Sequence, residues 1–258
     1  MTAPLAGQHA VVTGGGRGIG AAIAKRLAQS GARLTLLGRS LRTLGESAAE
    51  LPDSAKAFVT ACDVTDPAAI TAAFAAARDA HGAVDILVNN AGRAASAPLL
   101  RTDDSMWQDM LAVNLTGTFL CTRAALADML GRGSGRIVNI ASTAGQRGYP
   151  YVAAYTAAKH GVIGLTRALA LEVAGTAITV NAVCPGFADT DLLWDSVATV
   201  MDRTGRDRDA AVAHFLRYNP QGRLIAPDEV ADAVAWLCAP HASSVTGQSI
   251  SISGGEVT

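Results

Sequence analysis

The segment from His9 to Gly31, HAVVTGGGRGIGAAIAKRLAQSG, is the most informative part of the chain for its fold. It opens with a short apolar run, continues through a glycine cluster between Thr13 and Gly20, and ends in an alanine-rich segment of helical character. Such a run is typical of a buried strand, and glycines permit the tight turn that leads into a helix. We therefore interpret the stretch as a strand, a turn and a helix, the opening of a βαβ unit.

Similar apolar runs recur along the chain, separated by segments of helical character such as Gly18 to Ser30 and Ala68 to Ala80. The further runs are ARLTLLG, AKAFVTACD, VDILVNNAG, GRIVNIAS, AITVNAVCPG and SISISGG. This alternation predicts a parallel sheet that is covered by helices on both faces. We expect one α/β domain over residues 1–258, built on a doubly wound sheet of about seven strands.

The segment 187–223 interrupts the alternation with the sequence FADTDLLWDSVATVMDRTGRDRDAAVAHFLRYNPQGR. Long excursions in compact domains are often lids or binding loops, so we predict a helical lid over the ligand cleft. The alternative is a solvated helical excursion without a role.

Composition narrows the class of partner. The chain has 258 residues, is 50% hydrophobic and carries a formal net charge of −1. It has no run of Lys and Arg, which argues against a nucleic acid or an anionic membrane surface. The N-terminus lacks the features of a secretory signal, and no apolar run approaches the length of a membrane span. We expect a cytoplasmic protein that acts on a small, weakly charged molecule and not at a membrane.

The four cysteines, Cys62, Cys121, Cys184 and Cys238, lie far apart and form no CxxC pair. No histidine stands at ligand spacing from them, so the sequence indicates neither a zinc site nor a disulfide framework. We interpret them as small buried hydrophobes and expect no metal.

The glycine cluster suggests a phosphate site. Glycines at this position let the backbone approach a pyrophosphate closely, and a helix N-terminus offers free amides and a favourable dipole. The position after a strand and before a helix predicts dinucleotide binding, against the alternative of a purely structural turn. The predicted contacts are Gly14, Gly16, Gly18, Ile19 and Gly20.

The second strand indicates which dinucleotide binds. An acidic residue at its end would pair with the ribose 2′-hydroxyl of NAD. Here the strand ends in Gly38, Arg39 and Ser40, without a carboxylate. Arg17 and Arg39 are suited to a 2′-phosphate, because arginine presents a planar array of charged donors. NADP(H) is therefore favoured and NAD(H) stays possible, since either arginine could be a solvated surface residue.

Residues after three other strands complete the predicted cofactor site. Asp63, followed by Val64, would accept a hydrogen bond from the adenine amine, or else cap a helix. In NNAG the predicted contacts are Asn90, Ala91 and Gly92, and the alternative is a polar turn. Pro185 and Gly186 follow the sixth strand, where they would shape the loop near the nicotinamide or simply end the strand.

Tyr155 and Lys159 are the predicted reaction centre. They stand four apart in YVAAYTAAKHG, so one helix face presents both. A nearby ammonium is expected to lower the tyrosine pKa toward the working pH, which suits a general acid and base. Ser142, just after the fifth strand, would hydrogen-bond the substrate oxygen. The alternatives are a surface pair and a turn residue; Tyr149 and Tyr151 also compete, but neither has a lysine four residues on.

The ordered set of motifs resembles the short-chain dehydrogenase/reductase family from about His9 to Gly255. The motifs that carry the resemblance are Thr13-Gly14-xxx-Gly18-x-Gly20, Asn89-Asn90-Ala91-Gly92, Asn114 in VNLTG, Ser142 in IVNIAS, Tyr155-xxx-Lys159 and Pro185-Gly186. The branch it is most similar to holds polyketide ketoreductases, 3-oxoacyl carrier-protein reductases and 3-hydroxyacyl-CoA dehydrogenases.

The resemblance implies a Rossmann-type subunit of a homotetramer that moves a hydride between a nicotinamide and a carbonyl or alcohol carbon. It also implies that Lys159 binds the nicotinamide ribose and that Asn114 positions a water in a proton relay. The alternative for Asn114 is a residue that forms hydrogen bonds at a helix kink. In this branch, basic residues at the positions of Arg17 and Arg39 accompany NADP(H). This agrees with the independent argument from the second strand.

Substrate choice is expected to depend on residues 93–96 and 146–151 and on the lid. The named candidates are Arg93, Ser96, Gln146, Tyr149, Trp194, His214, Phe215 and Tyr218. Their aromatic and apolar surface suggests an apolar acyl or ring substrate. Arg203, Arg206 and Arg208 would suit the phosphates of a CoA or carrier-protein arm, but their acidic neighbours favour a solvated helix.

We therefore expect an NADPH-dependent reductase of ketones or 3-oxoacyl thioesters. One alternative is an NAD-dependent alcohol or 3-hydroxyacyl-CoA dehydrogenase. Another, of a different class, is a catalytically silent dinucleotide-binding sensor or scaffold.

Overall fold

The computed structural model describes residues 3–258 and contains one parallel sheet of seven strands. The strands are β1 (His9–Thr13), β2 (Arg33–Gly38), β3 (Phe58–Ala61), β4 (Ile86–Asn89), β5 (Ser134–Ile140), β6 (Ala177–Pro185) and β7 (Ser249–Ile252). Their order is β3-β2-β1-β4-β5-β6-β7, and every neighbouring pair is parallel. The predicted doubly wound sheet is confirmed, with its switch in strand order between β1 and β4.

Helices connect the strands and cover both faces of the sheet. They are α1 (Gly18–Gln29), α2 (Leu41–Ala49), α3 (Pro67–His81), α4 (Asp104–Leu111), α5 (Gly117–Arg132), α6 (Ala153–Glu172), α7 (Asp191–Thr204), α8 (Arg208–Leu216) and α9 (Pro227–Cys238). A π-helical turn, Ala112–Thr116, joins α4 to α5. Side chains of Ser40, Asp66 and Asp103 accept backbone N–H groups at the starts of α2, α3 and α4, which explains where these helices begin.

The core consists of two apolar layers, one on each face of the sheet. In β1, Val12 lies in the layer with α1 and α9, whereas Val11 lies in the layer with α3 and α5. Successive side chains of a strand point to opposite faces, so a strand covered on both sides is apolar throughout. All four cysteines are buried free thiols, which confirms their interpretation as small hydrophobes. Residues 3–258 hold no group of His, Cys, Asp or Glu side chains able to bind a metal ion.

One continuous helical run, Asp104–Arg132, is long and apolar enough by length and composition to cross a membrane. Its inner face is part of the core, because Cys121, Ala125 and Met129 are buried in the layer with α3. A core helix of a globular domain has the same length and composition, so this run carries no argument for a membrane.

The segment 187–223 is helical, as predicted, and consists mainly of α7 and α8. Leu193, Val197 and Ala211 are buried between these helices, and Phe187 and Trp194 pack beside them. The segment therefore has a small apolar cluster of its own. Its role as a lid stays a prediction.

A buried hydrogen-bond network ties α5 and α6 to the middle of the sheet. Asn89 Nδ2 donates to Thr122 Oγ1 at 2.9 Å and to Asn139 Oδ1 at 2.8 Å. Asn139 Nδ2 in turn donates to Thr166 Oγ1 on α6 at 2.9 Å. Because buried polar groups must be paired, this network specifies how α6 sits on β5.

Replacing Asn139 with leucine should destabilise the protein strongly. Asn139→Leu keeps the branching and the number of side-chain heavy atoms but removes partners of Asn89 and Thr166, so we expect the free energy of unfolding to fall by about 2 to 4 kcal/mol. Urea denaturation measures this loss. The control Thr71→Val, at an exposed position of α3, should change it by less than about 0.5 kcal/mol. A loss of equally small size in Asn139→Leu would contradict the role of the network.

Candidate active site

The polar residues predicted for the reaction meet at the carboxyl ends of β4 and β5. Tyr155 and Lys159 lie on one face of α6, and Ser142 follows β5 directly. Lys159 Nζ lies 5.6 Å from the centre of the Tyr155 ring. Asn114 lies in the π-helical turn. The structure therefore brings the four predicted catalytic residues to one edge of the sheet.

Lys159 is almost fully buried, with 5% of its surface exposed. Its ammonium donates a hydrogen bond to the backbone oxygen of Ile140 at 2.8 Å, the last residue of β5. Burial disfavours the charged form and lowers the lysine pKa to about 8. An ammonium has three donors, so donors remain for a ligand at this edge.

Tyr155 differs from the sequence expectation in its acidity. Burial raises its pKa above the ordinary value, and the neighbouring Ser142 hydroxyl only partly offsets this rise. The expected lowering by Lys159 is therefore wrong for the protein by itself. The physical reason is that burial removes water from the phenol and so disfavours the phenolate, an effect larger than those of the neighbouring groups. Tyr155 is a neutral phenol at neutral pH.

Ser142 begins a short helical turn, Thr143–Gly145, and its Oγ accepts the N–H of Ala144 at 3.1 Å. This contact uses a lone pair of the hydroxyl oxygen and leaves the O–H bond free to donate. Ser142 thus offers a donor beside the Tyr155 phenol. Sequence reasoning interpreted Ser142 either as this donor or as a turn residue, and its side chain fits both descriptions.

Asn114 is buried and links the π-helical turn to the loop after β4. Its Nδ2 donates to the backbone oxygens of Met110 and Arg93, each at 3.0 Å, and its Oδ1 accepts the N–H of Arg93 at 3.3 Å. A Cβ on Gly92 would lie 2.8 Å from Asn114 Oδ1 and 3.7 Å from Lys159 Nζ. Only glycine therefore leaves the space between these two polar groups open.

The predicted glycine turn is held against the end of β4. Asn90 Nδ2 donates to the backbone oxygens of Thr13 and Gly14, at 3.0 and 3.1 Å. Thr13 Oγ1 accepts the N–H groups of Asn90 and Ala91, both at 3.0 Å. A Cβ on Gly20 would lie 2.1 Å from the Gly14 oxygen, so a side chain cannot be accommodated there. Asn90 positions the turn, a role that the interpretation of NNAG as a cofactor contact did not include.

The start of α1 fits a dinucleotide phosphate. No side chain caps this helix and its first turn contains no acidic residue, so its N–H groups stay available to an anion. Gly16 and Gly18 lie in the turn that leads into the helix, and Ile19 packs against the core. A Cβ on Gly18 would lie 3.3 Å from Thr190 Cγ2, which places the beginning of 187–223 beside the turn.

The two arginines proposed for a 2′-phosphate differ in their surroundings. Arg17 forms an ion pair with Asp191 of α7 at 3.1 Å, with side chains 70% and 64% exposed. An exposed pair of this kind contributes little stability, so it does not prevent Arg17 from binding a phosphate. Arg39 is exposed at the end of β2. The adjacent Ser40 is occupied as the N-cap of α2.

Asp63 does not cap a helix, because Asp66 caps α3. Asp63 Oδ1 instead accepts the backbone N–H and the hydroxyl of Thr65, at 2.9 and 2.7 Å. These two hydrogen bonds lower its pKa and hold the carboxylate ionised. Val64 is buried against Gly117, because a Cβ on Gly117 would lie 2.9 Å from Val64 Cγ2.

The predicted substrate residues are held by neighbours from distant parts of the chain. Arg93 lies 3.6 Å from Asp109, and Arg203 donates to the Ser96 backbone oxygen at 3.3 Å. Trp194 Nε1 donates to Asp189 at 2.8 Å. The guanidinium carbon of Arg208 lies 4.6 Å from the centre of the Trp194 ring, so this arginine is more than a solvated residue. Whether these side chains contact substrate stays a prediction.

An aromatic cluster connects the loop after β5 with the segment 187–223. Tyr149 lies edge-on to Phe187 and Tyr218, with ring centres 5.9 and 5.5 Å apart. Phe215 lies 5.1 Å from Phe187, and His214 lies 5.3 Å from Phe215. This cluster forms an apolar wall beyond Pro185 and Gly186.

Tyr149 is not a competing acid. Its hydroxyl donates to the Glu256 carboxylate, and burial together with this hydrogen bond raises its pKa far above the ordinary value. Tyr151 is mostly exposed and adopts a positive φ of 69°. The choice of Tyr155 over both is supported by its position beside Ser142 and Lys159.

Sequence reasoning assigned no structural role to four residues that shape this edge, although Asn89 stands in the quoted NNAG motif. Asn89 and Asn139 form the buried network, and Thr143 and Glu256 hold Tyr149. Asn89 and Asn139 are polar residues next to apolar runs in their strands, and this contrast could have indicated a buried hydrogen-bond network. Glu256 has no such signal, because only folding brings it to the loop after β5.

Comparisons with known proteins agree with this geometry. A family model described as short chain dehydrogenase matches residues 8–200. The predicted ketoacyl reductase 1 of the granaticin polyketide synthase of Streptomyces violaceoruber is 43% identical over 255 residues, covering 95% of this chain and 92% of the relative. The 3-oxoacyl-acyl-carrier-protein reductase of Vibrio cholerae is 40% identical, covering 97% of this chain and 98% of that protein. A crystal structure of an actinorhodin polyketide ketoreductase variant with NADPH superposes with a TM-score of 0.93 at 41% identity, covering 96% of this chain and 97% of the other.

The depressed pKa of Lys159 predicts how stability changes with pH. Between about pH 8 and the ordinary lysine pKa of 10.5, the unfolded chain binds more protons at this residue than the folded protein. Stability from this group therefore rises with pH through that window, by an amount on the order of 2 to 3 kcal/mol. The methionine of Lys159→Met does not titrate in this window. As the pH rises through it, the free energy of unfolding of the wild type should therefore increase relative to that of the variant.

Urea unfolding of both proteins on either side of this window measures the gain. Taking the difference removes the contribution of titrating groups that lie far from Lys159. A difference that stays constant with pH would show that Lys159 keeps its ordinary pKa.

Proposed function

This chain belongs to the short-chain dehydrogenase family, and from that premise we propose that it reduces ketones or 3-oxoacyl thioesters with NADPH. The observation that carries the proposal is the convergence of Ser142, Tyr155 and Lys159 at one edge of the sheet. Relatives named as ketoacyl reductases, and a related ketoreductase solved with NADPH, support the reaction and the cofactor.

NADPH, when bound, supplies the hydride that the carbonyl carbon accepts. The free N–H groups at the start of α1 fit its pyrophosphate, and the glycines let it approach the backbone. Arg39 and Arg17 would bind the 2′-phosphate, since neither β2 nor its end offers a competing carboxylate. Asp63 would accept a hydrogen bond from the adenine amine through Oδ2, the carboxylate oxygen that Thr65 does not contact.

Ser142 and Tyr155 would bind the carbonyl oxygen together. The Ser142 O–H donates a hydrogen bond and holds the oxygen beside the phenol. Tyr155 then transfers its proton to that oxygen as the alcohol forms. The phenol keeps its proton at neutral pH, as the reduction requires of a proton donor.

Lys159 and Asn114 would support the proton transfer. The Lys159 ammonium stabilises the phenolate that Tyr155 becomes, and it is suited to hydrogen-bond the nicotinamide ribose. Gly92 leaves room between Lys159 Nζ and Asn114 Oδ1. A water there would return a proton to Tyr155 from solvent through Lys159.

The substrate would enter between the loop after β5 and the segment 187–223, which acts as its lid. The wall of Tyr149, Phe187 and Phe215 favours an apolar acyl chain or ring. We further propose that the protein acts in the cytoplasm as a homotetramer. The resemblance to the family supports this assembly, and the scattered charges support a soluble location.

The experiment that tests this function is turnover of 3-oxoacyl thioesters and ketones with NADPH by the wild type and Tyr155→Phe. Loss of the phenolic proton should lower kcat by about a hundredfold or more, with NADPH binding preserved. The control Glu172→Gln changes an exposed residue at the C-terminal end of α6, and its kcat should stay within about twofold. Substantial turnover by Tyr155→Phe would remove Tyr155 as the proton donor.

Arg39 should decide between NADPH and NADH. Arg39→Ala is expected to raise the Kd of NADPH about tenfold and to leave that of NADH unchanged, because only the 2′-phosphate loses a charged donor. Fluorescence titration with both nucleotides measures this, with the exposed Arg101→Ala as control. Equal weakening of both nucleotides would show that Arg39 does not recognise the phosphate.

A further inference from the structure

Glu256 is a buried acidic residue that the proposed reaction does not use. It follows β7 and only 9% of its surface is exposed. One carboxylate oxygen, Oε1, accepts a hydrogen bond from the Tyr149 hydroxyl. The other, Oε2, is buried without a hydrogen-bond partner among residues 3–258. Burial of a carboxylate is costly, so its presence calls for a role.

The hydrogen bond of Glu256 continues to the residue beside Ser142. Tyr149 Oη lies 2.8 Å from Thr143 Oγ1, and Thr143 follows Ser142 directly. Because the Tyr149 proton goes to Glu256, the phenol oxygen can accept from the Thr143 hydroxyl. Burial raises the pKa of Glu256, and the hydrogen bond that the Tyr149 hydroxyl donates to its carboxylate partly offsets the rise.

Arg147 provides the positive charge for the cluster. Its Nη1 donates to the backbone oxygen of Glu256 at 3.4 Å, and its guanidinium carbon lies 5.1 Å from the centre of the Tyr149 ring. Together Glu256, Tyr149, Thr143 and Arg147 form what we call the Glu256 cluster. Its members come from two segments about a hundred residues apart in sequence, 143–149 and the chain after β7.

The same C-terminal segment also contacts the loop at Gly186. Glu256 Oε2 lies 2.8 Å from the place that a Cβ on Gly186 would occupy, and the Gly186 N–H donates to Ile252 at 3.0 Å. Ser251 Oγ donates to Gln146 Oε1 at 2.9 Å. The chain from β7 to Glu256 therefore fixes the spacing between the loop that carries Ser142 and the loop at Gly186.

We propose that Glu256 is a positioning residue that sets the shape of the substrate pocket by fixing Tyr149 and the loop that carries Ser142. The inference rests on the proposed reductase function. The carboxylate holds the Tyr149 ring against Phe187 and Tyr218, so the pocket wall keeps one conformation. A bulky ring ketone, which reaches this wall, depends on the arrangement more than a small acyclic one.

The test compares reduction of 2-tetralone and of ethyl acetoacetate by Glu256→Ala and Tyr149→Phe. Each variant should lower kcat/KM for 2-tetralone about tenfold, mainly through KM, and affect ethyl acetoacetate much less. The Kd of NADPH should stay within about twofold of the wild-type value. The kcat/KM of the double variant for 2-tetralone should be no lower than that of the more impaired single variant, because both substitutions remove the same hydrogen bond between Tyr149 and Glu256.

Two further variants separate positioning from general damage. Glu256→Gln keeps an oxygen that accepts from Tyr149, so it should restore kcat/KM to within about threefold of wild type. Glu50→Ala removes an exposed glutamate and should change nothing. Equal losses on both ketones, additive losses in the double variant, or weakened NADPH binding would overturn the proposal.

Hydrogen exchange tests the link without turnover. Amides of residues 143–149 should exchange at least about tenfold faster in Glu256→Ala and Tyr149→Phe than in wild type or Glu50→Ala. If the wild type reduces neither these ketones nor 3-oxoacyl thioesters, the proposed function fails, while hydrogen exchange still decides whether Glu256 holds residues 143–149. Unchanged exchange in both variants would overturn the positioning role of Glu256.

Discussion

The site is organised by the burial of one ammonium group at the end of a strand. Lys159 reaches the backbone oxygen of Ile140 and so joins α6 to β5 at the point where Ser142 begins the next turn. A lysine in this position must keep a hydrogen-bond acceptor, because an unpaired buried ammonium is costly. The requirement fixes where α6 lies along the strand. Tyr155, four residues earlier on the same face, is placed beside Ser142 as a consequence.

The electrostatics of the site follow from the same burial. Removal of water lowers the pKa of Lys159 and raises that of Tyr155, so the protein by itself holds an acid with its proton in place. Such a phenol is suited to donate a proton to a developing alkoxide. The sequence argument considered only the attraction between a cation and a phenolate. Desolvation acts on both groups and is the larger effect here.

Around this centre, hydrogen bonds between neighbouring segments hold the loops in place. Asn90 and Thr13 hold the glycine turn against the end of β4, and Asn114 holds the next loop from within a π-helical turn. π-helical turns of this kind often occur at functional sites, because they turn a side chain out of the regular helical register. Polar groups at the strand ends are thus paired within the fold itself.

Residue order is enough to predict the alternation of strands and helices, the position of the glycine turn, and the pairing of Tyr155 with Lys159 on one helix face. These features depend on residue spacing and on local backbone preferences, which a sequence displays directly. Packing is needed to establish the buried state of Lys159, the pairing of Arg17 with Asp191, and the contact between Tyr149 and Glu256. The two contacts join segments far apart in the chain, and the burial of Lys159 depends on how much water the packed protein excludes. Neither distance in space nor the loss of water can be read from residue order, so both appear only once the layers have packed.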